Sequence, residues 1–463
     1  MSLRFRTGSD CYLSSRAAGC FGWKSVADEP GDSSTTHYQT ASSRPFLCYS
    51  WQEISTTGLA HEATSAKMDY PFDWRLSTKG ALIMKLIFFL LAATYLLLFV
   101  LRWLLSLAYL KKGQSSSSVF QEELYTVVQP ILSGDPRLQN DLLANLQQTE
   151  AVEFYWLIDQ SDPEAQRVAD KICQNPSYAQ RIRVFLMEDV PQGINPKSYK
   201  IEQIIDELTR PYLIVLDDDS VIDFSKMGEL TDYLGENVIL TGIPYNQERS
   251  NFWSKLVAAF VNGNSFITYF TMAEVKANHS INGMFYILPL ELAREQKLFS
   301  AIKDYLCDDL AVADFLRSKG VEIIQTRVTC NVRTTIKDAK QYLLQMKRWL
   351  LFSSIYLKEH LDWKVIILIA LSSFLPLPAL LISFFLGWPF VLLTLLLLLV
   401  KAVWMLAYRR HILSGRPHPD EVFYEVLNDL VLPWLFLYVL LSPRVINWRG
   451  RKIRVTDGKI RYE

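Results

Sequence analysis

Apolar residues form four long runs in this chain, and between the first and second they break into short β-rich stretches alternating with helix-period segments. The first run, 86–110, is interrupted only by Arg102 and is long enough to cross a bilayer, which predicts a membrane anchor over 82–110. Runs at 125–128, 153–158, 182–187, 212–216, 238–241, 284–288 and 321–324 read as strands. Between them Leu138, Leu142, Leu143 and Leu146 recur at helical spacing, and a helix over 310–319 is stopped by Gly320. The alternation predicts an α/β fold with a mostly parallel sheet over 119–360.

Two further runs, 365–386 and 389–408, are joined at Gly387-Trp388 and closed by Arg409-Arg410. They predict a membrane hairpin over 363–410 that leaves the α/β domain in the cytosol, at the inner membrane if the source is bacterial. The last run, 422–441, carries Glu425 and Asp429, each costing about 2.5–3.5 kcal/mol at depth against roughly 0.3–0.6 gained per Leu or Val. Because Glu421, Glu425, Asn428 and Asp429 share one helical face, an interfacial or re-entrant helix is predicted over 420–442, followed by a basic cytosolic tail over 443–463. No span carries the paired charges or broken-helix symmetry of a transporter.

Residues 1–80 are Ser/Thr-rich, with scattered aromatics and no periodic apolar pattern, and are predicted to be a disordered extension. Met84-Lys85, just ahead of the first apolar run, reads as the native start of translation.

Half of the 463 residues are hydrophobic, which leaves room for one sizeable soluble domain beside the spans. Lys plus Arg and Asp plus Glu balance at 48 each, so no charge excess points to nucleic acid, and none is expected as a partner. The six cysteines and six histidines are scattered without the spacing of a disulfide framework or a nitrogen–sulfur metal cage. Carboxylates remain as candidate metal ligands.

The strand at 212–216 runs directly into Asp217-Asp218-Asp219, at the carboxyl edge where open α/β sheets bind ligands. Asp217 and Asp219 could hold Mg2+ or Mn2+ while leaving coordination sites for phosphate oxygens, although a solvated acidic turn would look the same. Asp159 and Asp162 follow a second strand in the same way, but Asp162-Pro163 is equally a helix cap with proline at the first helical position. Asp309, in Cys307-Asp308-Asp309-Leu310, could take a proton from an acceptor hydroxyl or could cap the helix that follows. Gln345, Arg348 and Trp349 share one face of a predicted helix just before the hairpin, where a guanidinium suits a diphosphate and an Arg-Trp pair also suits a membrane boundary.

Taken in order, these groups resemble the family 2 glycosyltransferases, with their spaced aspartates, Asp-x-Asp element and Gln-x-x-Arg-Trp. The chain is most similar to the ceramide glucosyltransferase branch. That likeness rests on Gln129-Pro130-Ile131 with Asp135-Pro136, Gly193-Ile194-Asn195-Pro196-Lys197, Asn282-Gly283-Met284, Asp308-Asp309, Gln345-Met346-Lys347-Arg348-Trp349 and Ile446-Asn447-Trp448-Arg449. The resemblance implies a GT-A catalytic domain and an inverting transfer of a hexose, with glucose the expected sugar, from a UDP-hexose to a lipid acceptor in the bilayer such as ceramide or diacylglycerol. It implies that Asp159, Asp162, Lys197 and Asp217 contact the donor, that Asp217 and Asp219 hold the metal, and that Asp309 is the general base. Gln345, Arg348 and Trp349 would then hold the leaving diphosphate and the acceptor. Asp217-Asp218-Asp219 departs from the family's usual Asp-Ser-Asp, so which two of the three bind metal stays open. The rival readings are a processive polysaccharide synthase, for which the spans are too few, and an inactive lipid-binding membrane protein.

Overall fold

The computed structural model describes residues 4–6, 78–112, 118–360, 362–413, 415–448, 451–456 and 459–462. Its centre is a nine-stranded mixed sheet in the order β1-β4-β3-β2-β5-β8-β7-β9-β6. The strands are β1 (Arg4–Arg6), β2 (Tyr125–Ile131), β3 (Glu153–Asp159), β4 (Ile182–Met187), β5 (Tyr212–Leu216), β6 (Ser220–Ile222), β7 (Val238–Asn246), β8 (Phe285–Pro289) and β9 (Glu322–Val332). β4, β3, β2 and β5 are mutually parallel, as are β7 and β9. Parallel strands covered by helices on both faces must be apolar on both, and β3 is buried from Phe154 to Ile158. Its side chains alternate accordingly: Tyr155 and Leu157 join one core cluster, Phe154, Trp156 and Ile158 the other. The observed α/β class, with a mostly parallel sheet and flanking apolar helices, is the one the sequence predicts.

All seven expected strands form, and three features went unseen in the sequence. β8 runs antiparallel to both β5 and β7, a direction that the pattern of apolar residues does not encode. β9 extends to Val332 through Gln325, Thr326 and Arg327, whose polarity hides a strand paired on both sides. The helix Phe252–Glu274 starts where the Asn251 side chain accepts from Ser254 N at 3.0 Å. Its Phe266 and Phe270 join Ile243 of the sheet to Phe99 and Met405 of the apolar helices, making it the bridge between the two layers.

Among the described residues four helices are long and apolar enough to cross a membrane: Thr78–Lys112, Trp363–Leu386, Trp388–Ile412 and Glu421–Leu441. The polar face of the last does not turn toward headgroups. Glu425 is 1% exposed and meets Lys401 at 3.0 Å and Arg409 at 2.9 Å; Asp429 meets Lys401 at 2.9 Å, and Glu421 meets Arg409 at 3.3 Å. The cost that argued for an interfacial helix is thus offset by cations of the neighbouring helix, and the expectation that no span carries paired charges is corrected.

Two expectations about the termini also change. Arg4–Arg6 pairs antiparallel with β4, because an exposed sheet edge offers backbone partners whatever the composition of the added segment. Residues 7–77, which make up most of the predicted disordered extension, lie outside the described residues. Within 443–463, Val445–Trp448, Arg451–Thr456 and Lys459–Tyr462 form a three-stranded antiparallel sheet. The period-two pattern Arg451-Lys452-Ile453-Arg454-Val455 carried that signal beneath its charge.

Candidate active site

β5 delivers the three aspartates. Its core residues stop at Leu216, and the turn into β6 is held by Asp217 N donating to Met284 O at 3.0 Å. Buried Gln129, itself accepting from Trp156 Nε1, reaches toward the Asp217 carbonyl at 3.4 Å. Asp218 turns to β2, where its Oδ2 accepts from Leu132 N at 2.6 Å.

Asp217 and Asp219 face other partners. Lys197 opens the helix Pro196–Ile204, whose cap Asn195 accepts from Lys197 N at 2.9 Å. The Lys197 ammonium, 15% exposed, lies 2.7 Å from Asp217 Oδ1 and 3.4 Å from Asp308 Oδ2, and also donates to the Gly283 carbonyl. Burial opposes its charge, but Asp217 and Asp308 outweigh burial and hold it well above the ordinary lysine range. Asp219 accepts from Thr334 Oγ1 and, at 3.3 Å, from Ser220 Oγ. Burial and the neighbouring Asp217 push the Asp219 carboxyl up to about 6. A buried carboxylate repelled by a second one suits a divalent cation, and two protein carboxylates leave room for phosphate oxygens and water. Among the described residues no group of three or more His, Cys, Asp or Glu forms a complete metal cage.

Asp309 sits in the first turn of the helix Asp308–Ser318, whose N-cap Cys307 makes no side-chain cap bond, and it serves a first-turn backbone N–H itself. Its Oδ1 accepts from Leu310 N at 2.8 Å and Cys307 Sγ at 2.9 Å. Burial and the Lys197, Asp309 and Asp217 charges leave Asp308 at about 6. On the helix Ala339–Glu359, Arg348 Nη2 donates to Gln345 Oε1 at 2.9 Å, and Trp349 stacks on Phe260 of the bridging helix, ring centroids 5.7 Å apart.

One cleft of about 910 Å3 collects Lys197, Asp217, Asp219, Asp309, Gln345, Arg348 and Trp349. Asp159 and Asp162 do not line it. Asp159 pairs with buried Lys200 at 2.8 Å, and Asp162 caps the helix Pro163–Cys173 by accepting from Ala165 N at 3.0 Å, the capping role the sequence allowed. The second Asp162 oxygen accepts from Ser133 N, so this residue braces a loop that does line the cleft. Burial opposes ionisation there, yet the Ala165 and Ser133 donors outweigh it and lower the Asp162 carboxyl.

Thr334 and Tyr269 also line the cleft and were missed. Burial and Asp309 hold the Tyr269 phenol above its ordinary range, so it stays a donor. Neither residue sits in a pattern that sequence could flag: each arrives from a distant segment. The cleft lining also includes Phe374, Leu432, Pro433 and Phe436 of the apolar helices.

An α/β domain that sets carboxylates, a lysine and an arginine around a cleft opening onto apolar helices has the parts of a group-transfer enzyme working beside a membrane. The model of glycosyl transferase family 21 matches residues 84–461, and the chain belongs to that family. It is a glycosyltransferase, and family and sheet agree with the GT-A domain expected from the sequence. Among solved structures the chain is similar to the mannosyltransferase PcManGT from Pyrobaculum calidifontis in complex with GDP-Man and Mn2+, at 13% identity and a TM-score of 0.38, covering 74% of this chain and 99% of that one. No curated protein sequence matches it.

Proposed function

We propose that the enzyme transfers a hexose, glucose before others, from a UDP-hexose to the hydroxyl of a membrane lipid such as ceramide or diacylglycerol, with inversion at the anomeric carbon. The observation that carries this reading is the lining of the cleft, which joins acids and Arg348 to Phe374, Leu432 and Phe436 of the apolar helices in one cavity. A lipid can present its headgroup to Asp309 while its chains stay among the helices. A water-soluble acceptor has no use for that apolar lining.

In this reaction Asp309 takes the acceptor proton as the hydroxyl oxygen bonds to the anomeric carbon, and the bond from that carbon to the UDP oxygen breaks. Negative charge gathers on the departing diphosphate, which Arg348, a cleft residue held by Gln345, can stabilise. Lys197 keeps Asp217 and Asp308 compatible with one another in a site that must also take an anion. Asp217 and Asp219 would hold a Mg2+ or Mn2+, which when bound supplies Lewis-acid stabilisation of phosphate oxygens. Asp159 and Asp162 act behind the wall: one fixes Lys200, the other the 132–134 loop. Lys111-Lys112 and Arg409-Arg410, at the ends of apolar helices nearest the α/β domain, support a cytosolic site, where a nucleotide sugar is available.

The test is reconstitution in vesicles with UDP-glucose or UDP-galactose, Mn2+ and either ceramide or diacylglycerol, with new lipids weighed by mass spectrometry. One hexose added per lipid is expected, with loss on metal chelation and a fall of at least roughly 100-fold for Asp309→Asn. A polymeric product, or an undiminished Asp309→Asn, would overturn the reading.

A further inference from the structure

A second cavity, of about 1070 Å3, shares no lining residue with the catalytic cleft. Trp103 and Leu107 of the anchor helix form one wall, and Val400, Val403 and Trp404 of the helix Trp388–Ile412 form the other. The two indoles meet edge to face with centroids 5.0 Å apart and join the walls. Val400, Val403 and Trp404 are exposed, so this is an open apolar groove between two helices able to cross a bilayer.

The groove ends in charge. Lys111 closes the anchor helix, Lys226 comes from the segment Phe224–Tyr233, and Arg327 comes from β9; His411 joins them, and Glu229 is the one carboxylate among the lining residues. Lys226 Nζ donates to Ile412 O and Arg327 Nη2 to Leu110 O, the terminal carbonyls of the two wall helices. Capping explains those two bonds. It does not explain why Lys111 stands beside them, nor why the cations gather at a groove that no described residue fills. Each capping cation keeps further donors, and Lys111, Lys226 and Arg327 outnumber Asp223 and Glu229, the two carboxylates that act on Lys226.

From this we infer that the groove binds an anionic glycerophospholipid, with acyl chains along Trp103, Val403 and Trp404 and the phosphate among Lys111, Lys226 and Arg327. A neutral lipid would leave the cation rim without a counter-charge, and a soluble anion would leave the apolar walls bare. The site is separate from acceptor binding and does not depend on the reaction assigned to the cleft.

The full chain is reconstituted in nanodiscs of dioleoylphosphatidylcholine containing about one-fifth dioleoylphosphatidylglycerol, extracted gently, and weighed by native mass spectrometry. Phosphatidylglycerol should be retained over phosphatidylcholine by about tenfold relative to the bilayer ratio. Lys111→Gln with Lys226→Gln leaves Arg327 alone of the three rim cations, with no excess over the carboxylates, and Val403→Trp fills the groove while leaving the charge; each should return retention to the bilayer ratio. Lys111→Gln alone keeps the test open should Lys226→Gln fail to fold. Equal retention of both lipids by the unmodified chain overturns the inference. So does an unchanged preference in Val403→Trp, which would mean headgroup attraction without a groove, or displacement of the lipid by free glycerol phosphate, which would mean a soluble-anion site.

Discussion

Gly283 and Asp309 approach so closely that a Cβ on the glycine would stand 2.9 Å from the Cβ of Asp309 and 3.3 Å from its Oδ2. The glycine carbonyl also takes the Lys197 ammonium, so one backbone unit sets both the acid that would receive a proton and the cation beside it. Gly283→Ala should therefore shift Asp309 without unfolding the domain. Turnover is expected to fall by about 10- to 100-fold, the usual penalty for misplacing a reacting group by part of an ångström. Steady-state kinetics beside a thermal melt checks this; loss of the melt rather than of turnover would count against it.

Lys197→Met leaves Asp217 and Asp308 facing each other without their shared cation. Folding should weaken by about 2 kcal/mol, less than a fully buried pair because Asp217 is 34% exposed. Adding Asp308→Asn should recover much of that stability and none of the turnover, since donor binding still lacks the lysine. Recovery of both would reduce Lys197 to a structural role.

Asp141 gives a pH dependence away from the cleft. Burial pushes its carboxyl up to about 6 from the ordinary 3.8, against the pull of Arg333 at 3.1 Å and of Arg137. Between those values the folded chain keeps a proton that the unfolded chain has lost. Its stabilising contribution is complete below about 3.8 and is lost as pH rises through about 6. Relative to Asp141→Asn, which cannot titrate, the unmodified protein should lose up to roughly 3 kcal/mol across this window. Melts at a series of pH values from acid to neutral would show parallel curves if the idea is wrong.

Arg409→Met leaves Glu421 and Glu425 without a guanidinium that is itself fully enclosed. A loss of roughly 3–5 kcal/mol is expected, showing as a lower thermal midpoint in detergent. Pairing it with Glu425→Gln should restore part of the loss. Strict additivity of the two changes would deny the coupling.

Local pattern was enough for seven strands of the central sheet and their order along the chain, because a short apolar run announces a strand, though not its direction. It was enough for the apolar helices as well, since some twenty mostly apolar residues have few other uses. The chemistry-bearing residues were legible singly: Asp217, Asp309 and Arg348 each stood at a strand end or on a helix face that could matter.

Their meeting was decided only by tertiary structure. β8 inserts antiparallel between β5 and β7 and brings Gly283 to Asp217, while the helix Ala339–Glu359 returns Arg348 to acids more than a hundred residues earlier. Folding also reversed one local inference and chose between two others. Glu425 and Asp429 looked too costly for depth until Lys401 and Arg409 were set opposite them, and of the two roles open to Asp162 the structure displays the helix cap. Sequence determines what each residue can do. Which partner it meets depends on pairings distant along the chain, whose energies no single stretch contains.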